Sequence, residues 1–131
     1  VADTFTARDA KLALEDGFVV VLGGGIGNPF FTTDTASTLR AIELECDVVL
    51  KGTKVDGVYS EDPVNNPNAI RYDTVSYDEV IGKNLRVMDT AAFALARDNA
   101  MPIIVYALDD AAGLAGVLAG TTRSTRVGKP L

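Results

Sequence analysis

Apolar and polar positions alternate along this chain with two periods. From about Thr6 to Glu15 the spacing is helical, with Ala10, Ala13 and Leu14 on one face, and Gly17 closes the segment. Phe18-Val19-Val20-Val21-Leu22 is a continuous β-branched run, predicted as a strand buried on both faces. Gly23 to Phe31 reads as a loop. A second helix is predicted from about Asp34 to Cys46, with Ala36, Leu39, Ile42 and Cys46 as its inner stripe, followed by a buried strand at Asp47–Lys51. Gly52 to Ala69 is rich in Gly, Pro, Asn and Asp and reads as an extended loop with tight turns, a length usually functional or disordered in a small domain. A short helix follows near Tyr77–Ile81. Another covers about Thr90–Asn99, with Ala92, Leu95 and Ala96 buried and Asp89 as N-cap. Pro102–Tyr106 reads as a strand. Asp109 or Asp110 is expected to cap a helix running through Leu118 and ended by Gly120, and Ser124–Lys129 adds a last short strand.

This alternation predicts an α/β fold: a mostly parallel sheet, helices on both faces, right-handed crossovers. Ligands in such sheets sit beyond the carboxyl ends of the strands. The two unusual loops, 23–33 and 52–69, both follow predicted strands and are expected to share one rim.

Composition narrows the chemistry. With 131 residues, 47% hydrophobic and 23% charged, the chain reads as one ordinary globular domain, with no apolar run long enough to span a bilayer. The net charge of −6 disfavours a non-specific nucleic-acid binder, which needs a basic surface, while leaving room for a local anion pocket. Histidine is absent, so Ser-His-Asp and Cys-His machinery and His-ligated metals are excluded within these residues. Cys46 is the single cysteine, so there is no internal disulfide or Cys-rich zinc site, and no metal ligand set is assigned. A reducing, cytoplasmic setting fits. Val1-Ala2-Asp3-Thr4 lacks the basic start and apolar core of a signal peptide.

Gly23-Gly24-Gly25-Ile26-Gly27-Asn28-Pro29-Phe30-Phe31-Thr32-Thr33-Asp34 lies between a predicted strand and a helix start. Glycines let the backbone approach a ligand closely, and free N–H groups at the helix start, with the Thr32 and Thr33 hydroxyls, suit a phosphate. The dinucleotide fingerprint fails, because Phe30 stands where the third glycine belongs, and no Gly-Lys-Ser/Thr completes a Walker A loop. A plain Gly-rich turn with Thr33 as N-cap fits the same residues. Phe30 and Phe31 cannot both face a core easily, so one is available to pack on a base or ribose. Asp34 is open to two readings: a carboxylate complementing the helix dipole, or a group orienting Mg²⁺ or a phosphate-binding lysine.

The second loop, Thr53-Lys54-Val55-Asp56-Gly57-Val58-Tyr59-Ser60-Glu61-Asp62-Pro63, carries a strong turn signal at Asp56-Gly57. Tyr59 is suited to stack on a purine, Asp62 to accept hydrogen bonds from a ribose, Lys54 to meet a phosphate. A solvated polar loop with one partly buried tyrosine accounts for it equally.

Together these two loops, with Val87-Met88-Asp89 before an Ala-rich helix, resemble the signature segments of bacterial uridylate (UMP) kinases across essentially the whole chain. The resemblance implies the three-layer α/β/α sandwich of the amino-acid kinases and ATP- and Mg²⁺-dependent phosphoryl transfer to UMP, giving UDP in pyrimidine nucleotide biosynthesis. It implies that Ile26, Gly27, Asn28, Pro29, Phe30, Phe31, Thr32 and Thr33 hold UMP, and that Thr53, Tyr59 and Asp62 contact the ATP nucleoside. Asp34 and Asp89 correspond to carboxylates near the transferred phosphoryl group. Ile26 stands where many members carry Thr. The family's Lys-containing first strand and Gly-rich phosphate loop have no counterpart here, so residues 1–131 are expected to be the C-terminal nucleotide-binding half, incompetent alone. The expected partners are the N-terminal half or further copies, the family being hexameric, with no nucleic acid or membrane. Competing readings are another amino-acid kinase, acting on glutamate or aspartate, and a non-catalytic UTP- or GTP-binding module.

Overall fold

The computed structural model describes residues 2–109 and 112–128. The elements run α1 (Ala7–Glu15), α2 (Thr33–Glu43), β1 (Val49–Thr53), β2 (Thr74–Val75), α3 (Tyr77–Gly82), α4 (Thr90–Asp98), β3 (Ile103–Ala107), α5 (Gly113–Leu118) and β4 (Ser124–Val127). Side-chain oxygens start four of the five helices. Thr6, Thr32, Ser76 and Asp89 accept from backbone amides in the first turns of α1, α2, α3 and α4, satisfying N–H groups that a helix leaves unpaired. The cap of α2 is therefore Thr32, one residue before the expected Thr33.

The four strands form one sheet in the order β1-β3-β4-β2. β1 and β3 are parallel, as are β2 and β4, while β3 and β4 are antiparallel. Register aligns Val49, Ile103, Val127 and Val75 in one row across the sheet, all buried. Onto that row pack Ala41 of α2, Val80 of α3, and Ala92, Phe93 and Ala96 of α4. Fully burying a side chain such as Phe93 or Ile103 contributes about 1.5–3 kcal/mol, so this one face anchors the domain.

Three expectations change. The run Phe18–Leu22 forms no strand: it pairs with no described strand, and Val19 is 91% exposed. β-branched residues favour strands only where a ladder partner and a packed face exist, and neither is present for it here. The segment 52–69 is not open loop throughout. The Tyr72 amide donates to the Val58 carbonyl and the Ser60 amide to the Ile70 carbonyl, with a Tyr59–Arg71 bridge between them, so the chain folds back as a short antiparallel ribbon. The Thr125 hydroxyl, buried on β4, clasps this ribbon, accepting from the Val58 amide and donating to the Tyr72 carbonyl. Lastly, α5 starts after Ala112 with no side-chain cap, so Asp109 does not cap it, while Asp110 lies outside the described residues. The two-residue β2 went unforeseen. No helix among the described residues is long and apolar enough to cross a membrane.

Candidate functional site

Three stretches far apart in sequence meet at the carboxyl end of β1. The first is the end of the glycine loop and the first turn of α2. Lys51, near the end of β1, pairs with Asp34 in that turn, the two side chains being 28% and 19% exposed. The third is the head of α4. Its cap Asp89 bonds the Thr32 hydroxyl, accepts from the Thr35 hydroxyl at 3.2 Å, and accepts from the Ala92 amide at 2.7 Å. One carboxylate thus joins the N-termini of two helices. Burial alone raises the Asp89 pKa, but hydrogen bonds from Thr32, Ala92, Thr35 and Ala91 outweigh it and hold the carboxyl below its ordinary value.

Neither carboxylate stands open, and Asp89 caps α4 as expected. Asp34 is engaged by Lys51, and Asp89 by two hydroxyls and backbone amides. No group of three or more His, Cys, Asp or Glu among the described residues is placed to hold a metal ion. Among the described residues, then, no such cluster offers a protein-only cage for Mg²⁺.

The loop before α2 keeps its apolar residues outside. Phe30 is fully exposed at φ 71°, a region that disfavours a side chain of its size, and Phe31 is half-exposed. Ile26 is half-buried, while Gly27, Asn28, Pro29, Thr32 and Thr33 are exposed, with Gly27 at φ 75°.

The second group divides. Tyr59 and Asp62 line one cavity of about 490 Å³, together with Glu61 and the α3–α4 link residues Lys83, Asn84 and Arg86, whereas Thr53 is not in its wall. Thr53 instead accepts from the Val55 amide at 2.9 Å, turning the chain out of β1. Tyr59 donates to Asp56 at 2.5 Å; that bond first, then burial and the Asp56 charge, raise its pKa, against Arg71 and Arg123. Asp62 accepts from the Val64 amide and the Asn65 side chain, so it also shapes its own turn.

Sequence reasoning missed Lys51, which it read only as the end of a strand. The signal was present: a charged residue ending an otherwise apolar strand, with a lysine-orienting role as one of the two readings open for Asp34. The α3–α4 link was missed as a cavity wall because nothing local marks it.

An Amino acid kinase family model matches residues 2–107. The chain belongs to that family. Among curated relatives of this amino acid kinase, the uridylate kinase of Roseobacter denitrificans is 54% identical over 127 residues, 97% of this chain and 52% of the relative. That of Brucella anthropi is 52% identical over 97% of this chain and 53% of the relative. Among solved structures, UMP kinase from Bacillus anthracis matches with a TM-score of 0.93 at 36% identity, covering 99% of this chain and 54% of the other. UMP kinase from Ureaplasma parvum matches at 0.90 and 36% identity, covering 95% and 54%. The mixed α/β sheet described above is accordingly the amino-acid-kinase fold. The chain spans about half the length of the curated relatives it matches.

Proposed function

We propose that this chain is the C-terminal, nucleotide-binding part of a UMP kinase, transferring the terminal phosphoryl group of ATP to UMP to give UDP for pyrimidine nucleotide synthesis. One observation carries the reading: the Gly27–Asp34 segment, Lys51 and Asp89 converge at the carboxyl end of β1, where open α/β sheets bind ligands. The similarity to proteins named uridylate kinase supports it.

The chemistry suits these residues. A UMP phosphate is already an anionic nucleophile, and phosphoryl transfer passes through a loose transition state with charge spread over oxygens. Catalysis then consists of positioning and charge neutralisation, and no general base is required. In this reading Ile26 to Thr33 hold UMP, with Thr33 near its phosphate. Tyr59 and Asp62 border the adenosine cavity, and Thr53 shapes the turn leading to it. Asp34 and Asp89 act by ordering cations and helix ends. Mg²⁺ arrives as the counter-ion of ATP, held by the phosphates and not by this chain. The partners are ATP, UMP and the remaining strands of the fold, against which the exposed apolar Phe18–Leu22 run would pair, in a cytoplasmic hexamer.

The test is a thermal-shift comparison of UMP, UTP, glutamate and aspartate on this chain. A ligand at one hundred times its Kd stabilises by about 2.7 kcal/mol, a rise of several degrees. UMP and UTP are expected to produce that rise, and the amino acids none. A rise with glutamate or aspartate alone refutes the reading.

A further inference from the structure

We propose that Asp56 is a positioning residue of the adenosine cavity: it fixes the Tyr59 ring as a rigid wall against which the base of the phosphate donor packs. The inference rests on the nucleotide-kinase reading above and adds to it a residue that acts through another.

The backbone of Tyr59 is already held. Val58 is fully buried with its amide bonded to Thr125, and the Ser60 amide bonds the Ile70 carbonyl. Successive side chains of an extended ribbon point to opposite sides, so with Val58 in the core Tyr59 turns outward, into the wall of the cavity of about 490 Å³. Backbone alone leaves the side-chain torsions of a tyrosine to choose among rotamers. A ring free to swing offers a base no defined face. The Asp56 carboxylate removes that freedom by accepting from the Tyr59 hydroxyl at 2.5 Å, the length of a charge-assisted O–H···O bond.

The carboxylate has no other task among the described residues. An Asp in a turn commonly accepts from a backbone amide two residues on, as Asp62 does from Val64. Asp56 does not: its oxygens meet the Tyr59 hydroxyl and, at 3.7 Å, Arg123, and no backbone amide bonds to them. The Asp56–Gly57 turn is set instead by Gly57, at φ 156° against the Thr125 hydroxyl. Arg123 is 75% exposed and adds charge to the carboxylate without fixing it, while the Asp56 side chain is only 26% exposed. A largely covered carboxylate whose one short bond goes to a phenol in a cavity wall is arranged to aim that ring. The bond also marks the pair spectroscopically, since it is the first cause of the raised Tyr59 pKa.

The test is calorimetric. Wild type, Asp56→Ala, Asp56→Asn, Tyr59→Phe and the Asp56→Ala/Tyr59→Phe double variant are each titrated with the magnesium complex of an imido analogue of ATP and, as a control at the other site, with UMP. Circular dichroism checks each fold. Tyrosinate absorbance is followed with rising pH in the wild type, Asp56→Ala and Tyr59→Phe.

Asp56→Ala should weaken the ATP analogue by about three- to tenfold, the ordering cost of one freed side chain on binding, with UMP affinity retained. Asp56→Asn keeps a carbonyl acceptor and should recover most of the loss. Tyr59→Phe keeps the ring without its tether, so it should lose as much as Asp56→Ala, and the double variant no more than either. The tyrosine titration missing from Tyr59→Phe should move to lower pH in Asp56→Ala. Unchanged affinity of folded Asp56→Ala for the ATP analogue overturns the proposal; if that variant does not fold, unchanged affinity of Tyr59→Phe overturns it in the same way. Additive losses in the double variant, or an equal loss for UMP, mark a purely structural role and also overturn it. A wild-type chain that binds UMP but not the ATP analogue sinks this inference alone. One that binds neither sinks the kinase reading, and the inference with it.

Discussion

Replacing Asp89 by Ala should cost this chain more stability than its half-exposed position suggests. The side chain caps α4 through the Ala92 amide and bonds the hydroxyls of Thr32 and Thr35, which belong to the start of α2. Loss of a capping side chain costs about 1 kcal/mol. Each hydroxyl bond adds roughly 0.5–1 kcal/mol, the lower part of the usual range because water replaces some of the interaction. The sum is about 2–3 kcal/mol. With a urea m-value of about 2 kcal/mol/M, the unfolding midpoint should drop by about 1–1.5 M. A double-mutant cycle with Thr35→Val, a site that is buried, should return a coupling of about 0.5–1 kcal/mol. The pH dependence has a definite sign. The folded pKa of Asp89 is lowered, so its contribution is fully present above the unfolded value of 3.8 and is lost as pH falls through the still lower folded value. The wild-type advantage over Asp89→Asn should therefore shrink only in acid, below about pH 4. Coupling within error of zero, or an advantage that instead fades above pH 5, would refute the clasp.

Thr125→Val should cost about 1–3 kcal/mol, because it strands the Val58 amide and leaves the Tyr72 carbonyl only the 3.4 Å bond from Arg71; faster hydrogen exchange at Val58 would locate the loss. Gly57→Ala should destabilise by about 3 kcal/mol in a urea melt, since Gly57 sits at φ 156° and an added Cβ would run into the Thr125 hydroxyl. Val19→Thr and Val21→Thr should each change the stability of this chain by less than about 0.5 kcal/mol, since both side chains are exposed. A cost of 1.5 kcal/mol or more would mean that this run does form a packed strand in the isolated chain.

Much of the local structure is legible from residue type and spacing. The helices at 7–15, 33–43, 77–82 and 90–98 lie close to their expected places, since cap, apolar stripe and terminator all act within a few residues. Asp89 was readable as a cap for the same reason. The strand at 103–107 was readable from its apolar run and preceding proline. The run at 18–22 carried as strong a signal and is not a strand, because a strand requires a partner that no local pattern supplies.

What the linear order of residues determined by itself is therefore most of the helices, the strands at 49–53 and 103–107, the Asp89 cap, and the two loops rich in ligand-binding residue types. What only tertiary structure decided is which of those groups meet. The Asp34–Lys51 pair closes over 17 residues, the Thr32–Asp89 bond over 57, and the Thr125 clasp over 67. Contacts at such separations depend on sheet order and register, which arise from packing the whole apolar face at once. That packing turned two acidic helix starts into an ion pair with Lys51 and a clasp between helices.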